Sequence, residues 1–175
     1  HRSPNKIAVI EVSGIISSQA WDGSGRNMVR LIRDQLKMAQ EDPDVRAVVL
    51  KVDSPGGEVM ASDDIARSVR DFQGDGSDGD EGKPVVAVMG GVAASGGYYI
   101  SAPARWIVAN EMTITGSIGV IMHSFNYRGL LDKVGLYPQV FKSGRLKDML
   151  SGSKKMEDVD PEEKQIIQDM VNATY

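Results

Sequence analysis

Two glycine-flanked turns carry the residues best suited to chemistry. The first is Ser54-Pro55-Gly56-Gly57 and the second is Ala93-Ala94-Ser95-Gly96-Gly97. Adjacent glycines let backbone amides approach a ligand and point the same way, as in an anion-holding nest. The second turn sets a serine among small neighbours, where a strand is expected to pass into a helix. Small neighbours relieve crowding at such a turn and leave the hydroxyl accessible. The helix start adds free N–H groups and positive partial charge, which favour a developing oxyanion. This is the logic of a nucleophile elbow, although the G-x-S-x-G spacing is absent. Helix capping and close packing would account for either turn taken alone. No G-x-x-x-x-G-K-[ST] and no G-x-G-x-x-G occurs, which sets nucleotide binding aside.

A serine nucleophile needs a base. His123 is the internal histidine of the two in the chain, the other being His1. It follows an apolar stretch and could form a Ser–His pair; its bland alternative is a surface histidine. Lysine is the other option, since burial or a nearby positive charge can lower its pKa enough to make it a base. Two candidates stand in Lys142-Ser143-Gly144-Arg145-Leu146-Lys147-Asp148. Composition does not choose between Lys142 and Lys147, and a solvated surface lysine is the ordinary state of either.

The elements that must position these groups alternate between strand and helix. Strands are expected at 6–12, 47–52, 85–89, 106–108, 118–122 and 139–141. Helices are expected at 27–40, 62–72, 98–100, 126–134 and 161–174, with Asn27 a fitting N-cap for the first. The apolar run AVVLKV (47–52) reads as a strand covered on both faces. Residues 73–82 (QGDGSDGDEG) read as an acidic surface loop. The repeated units imply an α/β fold with a mostly parallel sheet and helices packed outside. Both glycine turns would then lie at the carboxyl ends of strands, where such sheets bind ligands.

The length, 175 residues, suits one domain with its own core, and 41% hydrophobic with 25% charged residues is the composition of a globular chain. The absence of cysteine excludes disulfides, thiol nucleophiles and thiolate metal sites. With two histidines a multi-histidine metal site is not expected. A net charge of −4 with 6% aromatics argues against a nucleic-acid surface. No apolar run reaches the ~20 residues that cross a bilayer.

Together VDSPGG (52–57), GGVAASGGYYIS (90–101), TITGSIGVIM (113–122) and KSGRLKDMLSG (142–152) resemble the signal peptide peptidase A family. The resemblance runs from KIAVIEVSG to the final helix, and four ordered motifs make it specific. It implies the Clp protease and crotonase fold, built of repeated β-β-α units. It implies a Ser–Lys dyad in which Ser95 is the nucleophile, Lys147 the base and Ser117 the hydroxyl that orients the lysine. It also implies an oxyanion hole from the amides of Gly57 and Gly96, no cofactor, and apolar peptide substrates, with Met60, Val92 and Ile121 near the site. The family's rings or domes of subunits imply a homo-oligomer, with a base able to come from a neighbouring subunit. Its membrane tether implies a catalytic domain on the extracytoplasmic side, reached through an anchor outside these residues. Residues 1–175 then stand for one catalytic domain without the family's C-terminal portion. Two other classes remain: a crotonase-like acyl-CoA enzyme, for which Glu58 after SPGG would be the acid/base group, and a catalytically silent assembly domain.

Overall fold

The computed structural model describes residues 5–19, 27–74 and 82–175. His1 and most of the acidic 73–82 loop lie outside the described residues. Contacts divide the chain into two compact units, His1–Ile118 and Gly119–Tyr175.

Among the described residues the first unit is a parallel sheet with three helices. Its strands are β1 (Lys6–Ser13), β2 (Val45–Ser54), β3 (Val85–Ala94), β4 (Trp106–Val108) and β5 (Ile114–Gly116). The order is β1-β2-β3-β4, and β5 also pairs with β3. The helices are α1 (Met28–Glu41), α2 (Val59–Gln73) and α3 (Gly96–Ser101). Parallel neighbours need a crossover, which α1 supplies between β1 and β2 and α2 between β2 and β3. Asn27 caps α1 as expected, its side chain accepting from the Arg30 amide at 2.8 Å. The far end of α1 is closed by a residue with no local signal: Lys83 Nζ donates to the carbonyls of Ala39, Gln40 and Asp42.

The sheet buries one face rather than two. Along β2, Val48, Leu50, Val52 and Ser54 are buried, while Arg46, Lys51 and Asp53 are exposed. The buried side meets the apolar stripes of α1 (Val29, Ile32, Leu36, Ala39) and α2 (Ala61, Ile65, Val69, Phe72) in one core. On the other side Ile7 and Val9 of β1 are exposed, and Lys51 pairs with Glu11 at 2.9 Å across the strands. The expectation of two covered faces is therefore corrected. Lys51 and Asp53, alternating with buried Leu50, Val52 and Ser54, hold the period of two that the short run at 47–50 obscures, while Arg46 sits at the shift of register that opens the strand.

Strand β3 also runs further than expected, to Ala94. A bulge makes this possible: Val52 pairs with Met89 but Ser54 pairs with Ala93, so Asp53 alone faces Gly90-Gly91-Val92. The Asp53 carboxylate occupies the irregularity, accepting from the Val92 amide at 3.0 Å. A Cβ on Gly90 would come within 3.0 Å of that side chain, which explains a glycine there.

The second unit holds α4 (Arg128–Lys133), a 3₁₀ turn (Met156–Asp158) and α5 (Pro161–Thr174). Helix α5 starts as read, with Asp160 as N-cap accepting from the Glu162 amide at 2.9 Å. The strands expected at 118–122 and 139–141 do not form. The edge of β3 is met by Ile114–Gly116 instead, in register Val92–Ile114, Ala93–Thr115 and Ala94–Gly116. A strand needs a ladder partner as well as β-branched residues, and only the earlier segment has one. Ion pairs rather than regular structure tie down residues 142–154: Asp148 accepts from Lys142 at 2.8 Å and Lys154 at 3.1 Å, and Lys154 reaches buried Glu163 at 2.5 Å.

Candidate active site

Strands β2 and β3 end side by side, and each releases its glycine turn at the same end of the sheet. Ser95 lies between β3 and α3 as the helix N-cap, half-buried, with φ 51° and ψ −119°. A side chain held at that φ costs ~1–3 kcal/mol, and such strain persists only where neighbours enforce it. Here they do. The Ser95 amide donates to the Gly116 carbonyl at 2.8 Å, and the Ser95 carbonyl accepts from the Tyr99 amide at 2.9 Å. Below the turn, Gly97 lies against Ser54, whose backbone oxygen would be 2.5 Å from an added Cβ.

The SPGG turn passes directly against this elbow. Gly56 has φ +97°, and a Cβ there would stand 2.6 Å from the Gly96 nitrogen and 3.0 Å from Ser95 Cβ. A Cβ on Gly96 would lie 3.4 Å from the Gly57 nitrogen and 2.4 Å from Ser62 Oγ. The amides of Gly57 and Gly96 are thus neighbours beside Ser95, and neither has a protein acceptor among the described residues. Two unspent donors next to a hydroxyl at a helix mouth can receive an oxygen that gains negative charge.

A third layer braces the turn. Ser54 Oγ donates to the Gly14 carbonyl at 2.6 Å and accepts from the Gly56 amide at 3.1 Å. Ile16, fully buried, accepts from the Glu58 amide and donates to the Gly56 carbonyl, each at 2.9 Å. The Glu58 carboxylate accepts from Ser17 Oγ (2.7 Å), the Ser18 amide (2.8 Å) and Ser18 Oγ (2.5 Å). These bonds, led by the Ser18 hydroxyl, hold its pKa below the ordinary carboxyl value. With its lone pairs so engaged, Glu58 is poorly placed to act as an acid/base group.

Among the residues singled out in the sequence, Ser95, Gly57, Gly96 and Ser117 all fall in the first unit. Ser117 directly follows β5, next to the carbonyl that holds the Ser95 amide, and has φ 52°. Lys142, Lys147 and His123 fall in the second unit. There the two lysines part company. Lys142 is spent on Asp148 and on the Arg145 carbonyl at 2.9 Å. Lys147 is exposed, and no side-chain partner holds it among the described residues. His123 is likewise exposed and without a side-chain hydrogen bond there. Asp148, beside Lys147, has its pKa lowered first by Lys142 and further by Lys154. A cavity of about 370 Å³ in this unit is walled by Lys142, Asp148, Lys154 and Glu163 among others. These acids and bases pair with each other, so the cavity offers no free nucleophile–base couple.

Sequence reading missed the Gly116 carbonyl, the Asp53 plug and the 14–18 brace. Ser13-Gly14 looked like a plain strand end, and nothing local ties residues 16–18 to a glycine turn about 40 positions on.

Comparison with known proteins agrees with this architecture. The chain is 39% identical over 172 residues to Protease 4 of Salmonella typhi, covering 97% of this chain and 26% of that protein. It is 32% identical over 175 residues to the chloroplastic serine protease SPPA of Arabidopsis thaliana, covering 98% of this chain and 24% of that protein. Against other curated relatives the chain spans about half their length. The fold matches a lysine-to-alanine mutant of the 1510-N membrane-bound stomatin-specific protease in complex with a substrate peptide. That match has a TM-score of 0.54 at 22% identity and covers 71% of this chain and 50% of that one. A serine-to-alanine mutant of the same protease matches with a TM-score of 0.53 at 21% identity, covering 69% and 51%. The family model for peptidase family S49 matches residues 77–175, more than half of the chain, and the chain belongs to that family.

Proposed function

We propose that the chain is the catalytic portion of a serine endopeptidase working through a Ser–Lys dyad. Ser95 is the nucleophile, Lys147 the general base, and Ser117 the hydroxyl that orients the lysine. The amides of Gly57 and Gly96 form the oxyanion hole. The observation that carries this reading is the pair of unspent amides flanking a strained serine at the mouth of α3.

Lys147, when neutral, takes the Ser95 proton as Oγ attacks the peptide carbonyl. The carbonyl oxygen becomes an oxyanion held by the two amides. The lysine then gives the proton to the leaving amine, and water hydrolyses the acyl-serine with the lysine again as base. Lys147 is exposed, and a lysine general base works best where it is shielded from water. A neighbouring subunit supplies that shield in this proposal, which makes the working form a homo-oligomer. The substrates are remnant signal peptides and other apolar membrane-derived peptides. Exposed Met60, close to the SPGG turn, offers apolar surface for them. No helix among the described residues is long and apolar enough to cross a membrane. We place the domain at the cell membrane on the extracytoplasmic side, tethered by chain outside these residues.

The engaged carboxylate of Glu58 speaks against a crotonase-like acyl-CoA enzyme. A fluorophosphonate probe separates the readings. Covalent labelling of Ser95, lost in Ser95→Ala, together with cleavage of an apolar peptide that needs Lys147, is the expected result. Absence of labelling in an assembled, folded protein would favour the silent assembly domain. Cleavage that survives Lys147→Ala but fails in His123→Ala would replace the dyad by a Ser–His pair.

A further inference from the structure

We infer that Glu58 is a positioning residue for the oxyanion hole, acting by clamping residues 16–18 onto the outer side of the Gly56-Gly57 turn. The inference rests on the peptidase reading above and adds a residue to it. Glu58 makes no hydrogen bond to Ser95 or to the amides of Gly57 and Gly96 among the described residues. Its carboxylate instead gathers Ser17 Oγ, the Ser18 amide and Ser18 Oγ within 2.5–2.8 Å. Its own amide, meanwhile, donates to the Ile16 carbonyl. Main chain and side chain of one residue thus hold the same short segment at two points.

That segment is the wall against which Gly57 rests. A Cβ on Gly57 would fall 2.0 Å from the Ile16 oxygen and 2.7 Å from the Ile16 nitrogen, so the two backbones are in direct apposition. Ile16 and Gly57 form an isolated parallel bridge, outside the named strands and a few residues beyond the last β1–β2 pair, Ser13–Asp53. The inner side of the turn is fixed by Gly96 and Ser95. The outer side depends on the bridge, on the Ser54 hydroxyl and on the Glu58 clamp. Without the carboxylate, residues 17–18 keep, among the described residues, only the Asn27 side-chain amide on the Ser18 carbonyl (2.8 Å) as an outside hold, and the bridge can slide. A preorganised donor loses most of its value when its direction is no longer held.

The test compares Glu58→Ala, Glu58→Gln and Ser18→Ala with the parent in the assembled protein. One readout is kcat and KM on an apolar peptide. The second is inhibition by a peptide aldehyde, whose tetrahedral adduct puts an oxygen in the hole. Glu58→Ala is expected to lower kcat about tenfold or more and to weaken aldehyde inhibition by a similar factor, with KM within twofold. Glu58→Gln keeps an acceptor oxygen and is expected to recover most of the loss. Ser18→Ala leaves the amide bond in place and should fall between. Parent-like kcat and aldehyde inhibition in a folded Glu58→Ala overturns the inference while leaving the peptidase reading intact. So does a loss confined to KM. A parent protein that neither cleaves nor labels overturns the peptidase reading itself.

Discussion

Replacing Gly57 by alanine probes the oxyanion hole through the backbone rather than through a side chain. The new Cβ would lie 2.0 Å from the Ile16 oxygen, 2.7 Å from its nitrogen and 2.8 Å from its carbonyl carbon. All three are backbone atoms of a fully buried residue, so no side chain can rotate aside. Ordinary contact begins at 3.4 Å, so ~1.4 Å must open between the turn and residue 16. The opposite side offers little room, because the Gly96 nitrogen lies only 2.6 Å from where a Cβ on Gly56 would stand. The Gly57 amide therefore moves by about an ångström or turns away. Misplacement on that scale costs about 10²-fold, and complete loss of one oxyanion donor costs about 10²–10³-fold in kcat. The same strain should lower stability by ~1–3 kcal/mol, or about 2–4 °C of Tm per kcal/mol at this chain length. The assay is the rate of Ser95 acylation by a fluorophosphonate, with peptide cleavage and a thermal melt alongside. Acylation within threefold of the parent, in a protein melting at the parent temperature, would show that Gly57 neither packs on Ile16 nor supplies the amide.

The remaining predictions use other parts of the site. Ser95→Gly should abolish labelling yet raise stability by ~1 kcal/mol, because glycine adopts φ 51° without strain; a calorimetric melt reads the difference, and a lower Tm contradicts the strained elbow. Lys147→Ala should remove peptide cleavage, whereas Lys142→Ala should loosen the 142–154 segment and lower Tm without removing the base; equal activity loss in both would contradict the assignment. Acid should weaken both units through carboxylates whose folded pKa is depressed. Asp148 and Asp160 start from 3.8 and Glu58 from 4.5. Their contribution is present above those values and is lost as pH falls through the lower folded ones, which a melt series from pH 6 to about pH 2 would record. Lys154 behaves oppositely: its pKa is raised by Glu163 and then Asp148, so its contribution holds below 10.5 and fades only above it.

Much of this protein was legible along the chain because local rules govern it. Asn27 caps its helix through a side chain that reaches three residues ahead, a distance that sequence spacing shows directly, and the last helix begins at the proline where the periodicity put it. The glycine turns declared themselves because they follow β-branched runs, and the motif set pointed to the family that residues 77–175 match. The tertiary structure decided what depends on partners far away in sequence. Asp53 opposite three residues of β3, Lys83 on the end of α1 and Glu58 on Ser17 and Ser18 are each pairings across about 40 positions. The choice of Ile114–Gly116 over 118–122 as a strand belongs to the open edge of β3, not to β-propensity. The difference between Lys142 and Lys147 lies in where Asp148 stands in space. Residue types set which groups could react; only folding, by spending some donors and acceptors on each other, settled which were left free.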